Sequence, residues 1–126
     1  MEDSFRYQER RGSVRLKMMF PALYTRFDNQ GREFDQKISR SMDLSPGGMR
    51  LQSNFSVDRG EVLDITMALE EDLVTFKGKV VYVTPSRDQG QGIECGISIQ
   101  DIDIKDRITL TRFIDDVKGS EQRWDA

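Results

Sequence analysis

The sequence predicts a mainly β protein in which six antiparallel strands close into a barrel and one α-helix follows at the C-terminus. Apolar and polar residues alternate through most of the 126-residue chain, which is the pattern of strands with one buried face. Short clusters of turn-forming residues separate these runs, and helical spacing appears only near the end. Closure into a barrel is favoured because it removes exposed strand edges.

The first predicted strand runs from Val14 to Tyr24, where apolar residues occupy the even positions. Pro21 lies within this run and predicts an edge position or a bulge, because proline cannot donate a ladder hydrogen bond. A hairpin turn is expected at Asp28–Gly31. The second strand then follows, and we expect its apolar parity to be buried. That parity carries Phe34, Ile38 and Met42.

Strong turn chemistry at residues 43–48 separates the second strand from a short third strand that contains Met49 and Leu51. The last three strands are predicted at Val62–Leu69, Leu73–Thr84 and Ile93–Ile99, with turns at 58–60 and 70–72 and a loop at 85–92. Most aromatic residues lie on the apolar parity of their strands, which favours core positions over an exposed stacking platform. They are Phe20, Tyr24, Phe34, Phe76 and Tyr82.

A helix is predicted from about Ile104 to Lys118, with Asp103 able to cap it and Gly119 as a plausible stop. Length and the absence of an internal linker indicate one domain. We expect this domain to cover residues 9–118, with an N-terminal arm at 1–8 and a C-terminal tail at 119–126. Trp124 falls in that tail, where a disordered end is expected.

Composition excludes several function classes. The chain has one cysteine, Cys95, so it forms no internal disulfide, and this residue is expected in the core. It has no histidine, which excludes histidine-dependent catalysis and histidine-ligated zinc. No catalytic arrangement stands out, so we expect no enzyme, cofactor or metal site. No apolar run approaches the ~18 residues that span a bilayer, and a cytoplasmic location is expected.

Charge is distributed unevenly along the chain. The formal net charge is −3 and the pI is about 5.0, which disfavours DNA, RNA or a nucleic-acid-binding barrel as the partner. Residues 5–17, however, carry five basic side chains against Glu9 alone. A local basic segment on an acidic protein suits a small anion better than a long polyanion.

Two motifs carry candidate chemistry. Arg11 and Arg15 have the spacing Arg-x-x-x-Arg, but Arg6 and Arg10 repeat it, so the spacing alone also fits a solvated basic arm. Asp43-x-Ser45-x-x-Gly48 is the rarer pattern. Its structural interpretation is a sharp connection in which Asp43 and Ser45 bond nearby backbone and a glycine supplies a positive φ.

The order of these motifs resembles the PilZ domain family. Its two signatures are Arg-x-x-x-Arg and [Asp/Asn]-x-Ser-x-x-Gly at about this separation, and all five positions match here: Arg11, Arg15, Asp43, Ser45 and Gly48. The resemblance covers roughly residues 9–118. It implies a bacterial, six-stranded split barrel with a C-terminal helix that binds the second messenger cyclic di-GMP.

The resemblance also implies residue roles. Arg11 and Arg15 should hold guanine edges and phosphate, which suit the guanidinium fork. Asp43 and Ser45 should select guanine over adenine, and Gly48 should shape the turn and allow close approach of the ligand. The adjacent Arg10 is a further candidate, because an arginine at this place goes with binding of a stacked ligand dimer in the family.

Two interpretations of how this protein acts on other proteins remain open. In the first, ligand binding orders the basic arm, and the changed surface signals through a separate protein effector that the sequence does not identify. In the second, the chain is a degenerate adaptor that keeps the barrel but binds only protein. The intact motif positions favour the first reading.

Overall fold

The structure, a computed structural model, describes residues 7–10, 13–16, 19–86 and 92–125, with side chains described for 19–86 and 92–118. The described chain contains eight strands and one helix. They are β1 Tyr7–Arg10, β2 Ser13–Leu16, β3 Phe20–Phe27, β4 Glu33–Ser45, β5 Gly48–Ser53, β6 Val62–Leu69, β7 Asp72–Pro85, β8 Ile93–Asp101 and α1 Ile104–Asp125.

The strands form one antiparallel sheet in the order β1-β2-β4-β3-β6-β7-β8-β5. A further pairing between β4 and β5 closes six of them, β3 to β8, into a barrel. The hairpin of β1 and β2 extends outward from β4. The predicted architecture of a six-stranded antiparallel barrel with a C-terminal helix is therefore confirmed.

The single strand predicted at 14–24 is divided in the structure. β2 and β3 follow one another along the same side of β4, with Leu16 opposite Leu44 and Phe20 opposite Ser41. Pro21 lies one residue before the pairing of β3 with β6 begins. Its missing N–H therefore falls outside that ladder, which explains how proline is accommodated in an interior strand.

The buried face of β4 is the reverse of the predicted one. Phe34 and Ile38 are 55% and 75% exposed, whereas Ser39 and Ser41 point into the barrel and are buried. The two serine hydroxyls donate to backbone carbonyl oxygens at 2.8 and 3.0 Å. Because both hydroxyls are hydrogen-bonded, these polar side chains are tolerated on the face of β4 that points into the barrel.

The core prediction holds for three of the five aromatic residues and for Cys95. Phe20, Tyr24 and Phe76 are buried, and Cys95 is fully buried. Burial raises the pKa of the Cys95 thiol to about 12. Phe34, as described above, and Tyr82, which is 42% exposed, are not in the core.

The predicted hairpin turn at Asp28–Gly31 forms as expected. Gly31 has a φ of 77° and its N–H donates to the Asp28 carbonyl at 2.9 Å. The Asp28 carboxylate accepts the N–H groups of Arg32 and Gln30, each at 2.9 Å. The hydrogen bond from the Arg32 N–H has the largest effect in lowering the pKa of Asp28, and the bond from the Gln30 N–H lowers it further.

The helix begins as predicted but ends later. Asp103 immediately precedes it, and the Asp103 carbonyl accepts from Arg107 N–H at 2.9 Å. The helix continues through Gly119 to Asp125, so the predicted stop is wrong. A glycine costs a helix only about 1 kcal/mol, and no proline follows it. Among the described residues, no helix combines the length and apolarity needed to cross a membrane.

Candidate functional site

A β-bulge places Asp43 on the outer face of the barrel. Ser41 pairs with Leu51 and Asp43 with Arg50, so Met42 is the extra residue that shifts the register. Alternation would have given Asp43 the inward orientation of Ser41. The bulge instead sets the Asp43 side chain beside that of Arg50, on the face turned away from the core.

Asp43 is held by the strand opposite it. One carboxylate oxygen accepts the backbone N–H of Arg50 at 3.0 Å, and the other lies 3.5 Å from Arg50 Nε. Asp43 is buried despite its outer-face position. Its orientation is therefore set before any ligand arrives.

Arg50 lies between two buried carboxylates. Its Nη1 is 3.9 Å from Oε1 of Glu94 on β8, on the side opposite Asp43. Its buried Nε makes no hydrogen bond with the described residues, since the geometry toward Asp43 is that of an ion pair only. Sequence reasoning missed both Arg50 and Glu94. The Ser45-to-Gly48 hairpin could have revealed Arg50, because a two-residue turn fixes residue 50 opposite residue 43.

The signature turn is tightly bonded within itself. Ser45 pairs with Gly48, and its Oγ donates to the Gly48 carbonyl at 3.2 Å. The Gly47 carbonyl accepts from Ile99 N–H at 2.9 Å, and Arg107 Nη1 reaches the Pro46 carbonyl at 3.5 Å. The structural interpretation is therefore confirmed, since Asp43 and Ser45 both hydrogen-bond to nearby backbone groups. The turn is also hydrogen-bonded to both β8 and α1.

Gly48 is required by packing rather than by a positive φ. Neither Gly47 nor Gly48 has a positive φ, contrary to expectation. A Cβ at Gly48 would lie 2.2 Å from the backbone oxygen of Ile97, whereas one at Gly47 would have nothing within 4 Å. The glycine therefore allows β5 to approach β8 closely.

Two of the three predicted arginines, Arg10 and Arg15, lie on the hairpin of β1 and β2. Arg15 belongs to β2 and pairs with Gln8, and Arg10 belongs to β1 and pairs with Ser13. Leu16, which follows Arg15, pairs with Leu44, between Asp43 and Ser45. Arg11 lies outside the described residues, and the side chains of Arg10 and Arg15 are not among those described.

A polar row runs beside this site on the same outer face. Arg40 Nη2 donates to Gln52 Oε1, and Gln52 Nε2 donates to Ser86 Oγ at 2.8 Å. Gln52 and Ser86 are buried. The row links β4 and β5 to the residue that precedes the 87–91 segment.

The sequence model of the PilZ domain family matches residues 9–116. The chain belongs to the PilZ domain family. This assignment agrees with the barrel and with the placement of β2 beside the Asp43–Gly48 turn. No curated protein sequence matches this PilZ chain.

Solved PilZ structures share its fold at low sequence identity. The PilZ domain of YcgR from Escherichia coli with c-di-GMP is 14% identical, with a TM-score of 0.63 over 92% of this chain and 96% of that one. The inhibitor of motility MotI/DgrA from Bacillus subtilis is 15% identical, with a TM-score of 0.71 over 90% of this chain and 53% of that one.

The MrkH–c-di-GMP complex of K. pneumonia is 14% identical, with a TM-score of 0.71 over 92% of this chain and 56% of that one. This PilZ chain therefore spans about half the length of MotI and MrkH.

Proposed function

We propose that this chain is a receptor for cyclic di-GMP that has no catalytic activity and signals, in the bacterial cytoplasm, through a separate protein. Two of the PilZ structures that share its fold, those of YcgR and MrkH, contain c-di-GMP. The observation that carries the proposal is the pairing of Leu16 with Leu44. It brings the strand of Arg15 next to Asp43 and Ser45, which lie about 28 residues away in sequence.

The chemistry of this arrangement suits a guanine dinucleotide. Guanidinium groups bond the O6 and N7 acceptors of guanine and the phosphates. A carboxylate such as Asp43 accepts from the N–H donors on the Watson–Crick edge of guanine, which adenine does not present in the same pattern. The hydrogen bond and ion pair from Arg50 keep that carboxylate oriented, so less ordering is needed on binding.

Signal transmission would begin at the N-terminal arm. Residues 5–17 carry four net positive charges, and a ligand with two phosphates neutralises their repulsion. Tighter docking of the arm onto the barrel changes the surface that a partner protein meets. In this mechanism the ligand acts by stabilising one arrangement of the arm.

The test is a calorimetric titration with cyclic di-GMP. Arg11→Ala, Arg15→Ala and Asp43→Ala each remove charge-assisted bonds of about 1.5–3 kcal/mol, so affinity should fall tenfold or more. Arg59→Ala is the matched control, since Arg59 is an exposed arginine in a turn after β5. Its affinity should equal that of the wild type.

Two results would overturn the proposal. If the folded wild-type protein fails to bind cyclic di-GMP, the chain is an adaptor that binds only protein. If it binds but the three variants bind equally well, the ligand occupies a different surface.

A further inference from the structure

The β6–β7 hairpin turns one row of side chains on each strand away from the barrel core. The two strands pair in uninterrupted register, and the residues between the outward ones are buried. The outward side chains therefore form a surface of their own, which we call the hairpin face. It consists of the cross-strand pairs Val62–Lys79, Asp64–Lys77, Thr66–Thr75 and Ala68–Leu73.

The hairpin face is apolar and uncharged over much of its area. Leu73 is 68% exposed, and its cross-strand neighbour is the small Ala68. On the other side the face continues onto β3 and β4, where Ile38 is 75% exposed. An exposed apolar patch of this kind is typical of a protein-contact surface. One uncharged row crosses all four strands and consists of Ile38, Leu23, Thr66 and Thr75.

The charges on the hairpin face come as an opposite pair. Lys77 Nζ donates to Asp64 Oδ1 at 2.8 Å, and both side chains keep substantial contact with solvent. The next pair is neutral, because the hydroxyls of Thr66 and Thr75 hydrogen-bond to each other at 3.0 Å. Each strand thus carries one charge, and the two charges are opposite in sign. Such a face complements a copy of itself in which the two strands have exchanged places.

A two-fold axis that runs between β6 and β7, parallel to the strands, produces this exchange. It sets β6 of one chain against β7 of the other, with the two sheets aligned face to face. Asp64 then meets the partner's Lys77, and Lys77 meets the partner's Asp64, so four charges alternate in sign. Ala68 meets the partner's Leu73, so the bulky side chain lies over the small one.

We propose that the hairpin face binds a second copy of this chain in a two-fold symmetric dimer. The inference is independent of the proposed receptor function, since it uses none of the candidate ligand residues. The face measures roughly 20 Å in each direction, or about 400 Å². That is about half of the area that each partner contributes to a standard interface. We therefore expect a weak dimer, with a dissociation constant between about 10 μM and 1 mM.

The acidic turn at the end of the hairpin opposes this pairing only slightly. Glu70 and Glu71 are exposed at the tip, and the axis brings the two tips toward each other. Packed sheets lie about 10 Å apart, which is about one screening length at physiological salt. The repulsion between the tips is therefore small beside the apolar and charge-paired contacts at the centre.

Sedimentation equilibrium between about 10 μM and 1 mM tests the dimer. The wild type should pass from monomer to dimer over this range, and Leu73→Arg should associate at least about tenfold more weakly. Ile104→Arg is the matched control, because Ile104 is 78% exposed but lies on α1, outside the hairpin face. Its association should equal that of the wild type. Thermal melting checks that each variant is folded.

A mixing experiment tests the exchanged pairing of strands. Asp64→Lys alone and Lys77→Asp alone each set like charges against one another across the axis, so both should associate at least about tenfold more weakly than the wild type. An equimolar mixture of the two variants restores opposite charges at both contacts and should associate within about threefold of the wild type. The ion pair within each chain is absent in the separate variants and in the mixture alike, so only a contact between chains explains recovery.

Three results would overturn the proposal. The first is a wild type that stays monomeric up to about 1 mM. The second is a wild-type dimer that Leu73→Arg leaves unchanged, because the dimer would then use another surface. The third is a mixture of Asp64→Lys and Lys77→Asp that associates no better than either variant alone. Titration of Leu73→Arg with cyclic di-GMP should match the wild type, so failure of the dimer leaves the receptor function untouched.

Discussion

Gly48 and Ile97 are in backbone contact: a Cβ at Gly48 would lie only 2.2 Å from the Ile97 carbonyl oxygen. The contact is between main-chain groups of two paired strands, β5 and β8, so neither side can rotate away. The glycine of the signature turn is therefore needed for barrel closure whether or not a ligand touches it.

Replacing Gly48 with alanine should destabilise the fold. The clash must be relieved by a backbone shift, and we expect a loss of about 1–3 kcal/mol in the free energy of unfolding. Urea denaturation measures the change. Gly47→Ala is the control, because a Cβ there meets nothing within 4 Å and its φ is not positive. Equal stability of the two variants would contradict this account.

Arg10 should control ligand stoichiometry. If it binds the second member of a stacked ligand pair, Arg10→Ala should lower the calorimetric stoichiometry from two ligands per chain to one while the remaining ligand still binds. Arg6→Ala is the control, since it removes an arginine of the same arm. A wild-type stoichiometry of one, or of two in both variants, would refute the role.

Hydrogen exchange should report the response of the arm. The β1 and β2 strands are paired from Tyr7–Leu16 to Arg10–Ser13, but of the residues described in these two strands only Leu16 pairs with the barrel strand β4. Ligand contacts should slow amide exchange at residues 7–16, while amides of β6 keep their rates. Identical exchange at residues 7–16 with and without cyclic di-GMP would rule out ordering of the arm.

Stability should fall at alkaline pH. Burial raises the pKa of Cys95 from 9.0 to about 12, and burial also raises that of Tyr24 above its usual 10.0. A group whose pKa is raised on folding stabilises the protein below its unfolded pKa and loses that contribution as pH rises through the folded value.

The free energy of unfolding should therefore decline between about pH 9 and 12, with Cys95 contributing at most about 1.4 kcal/mol per pH unit. Urea titrations at several pH values measure the slope. Cys95→Ala should flatten the decline that begins near pH 9, and Tyr24→Phe the part above pH 10. An unchanged slope in both variants would show that other groups cause it.

The sequence predicted the strands well because hydrophobic alternation is a local signal. Leu63, Ile65, Met67 and Leu69 alternate without interruption, and all four are buried. Hairpin turns were equally local, as the Asp28–Gly31 turn shows.

The errors arose where the sequence pattern did not show which face of a strand is buried. Ile38 was expected inside and is 75% exposed, and Tyr82 was expected in the core and is 42% exposed. Local patterning reports a period but not which parity faces inward when both parities carry apolar residues, and it does not reveal a bulge. Asp43 could be recognised as a candidate site residue from its motif, but Glu94, the second buried carboxylate beside Arg50, could not, because the long-range pairing of β5 with β8 brings it there.

The extra residue in β4, Met42, separates the length of this strand from the orientation of the candidate site. Deleting its codon would restore regular alternation and would still leave Asp43 opposite Arg50, on the outer face of the barrel. Related genes can therefore differ by one codon at this point and keep the carboxylate in place, so an alignment of the family must allow a gap between Ser41 and Asp43.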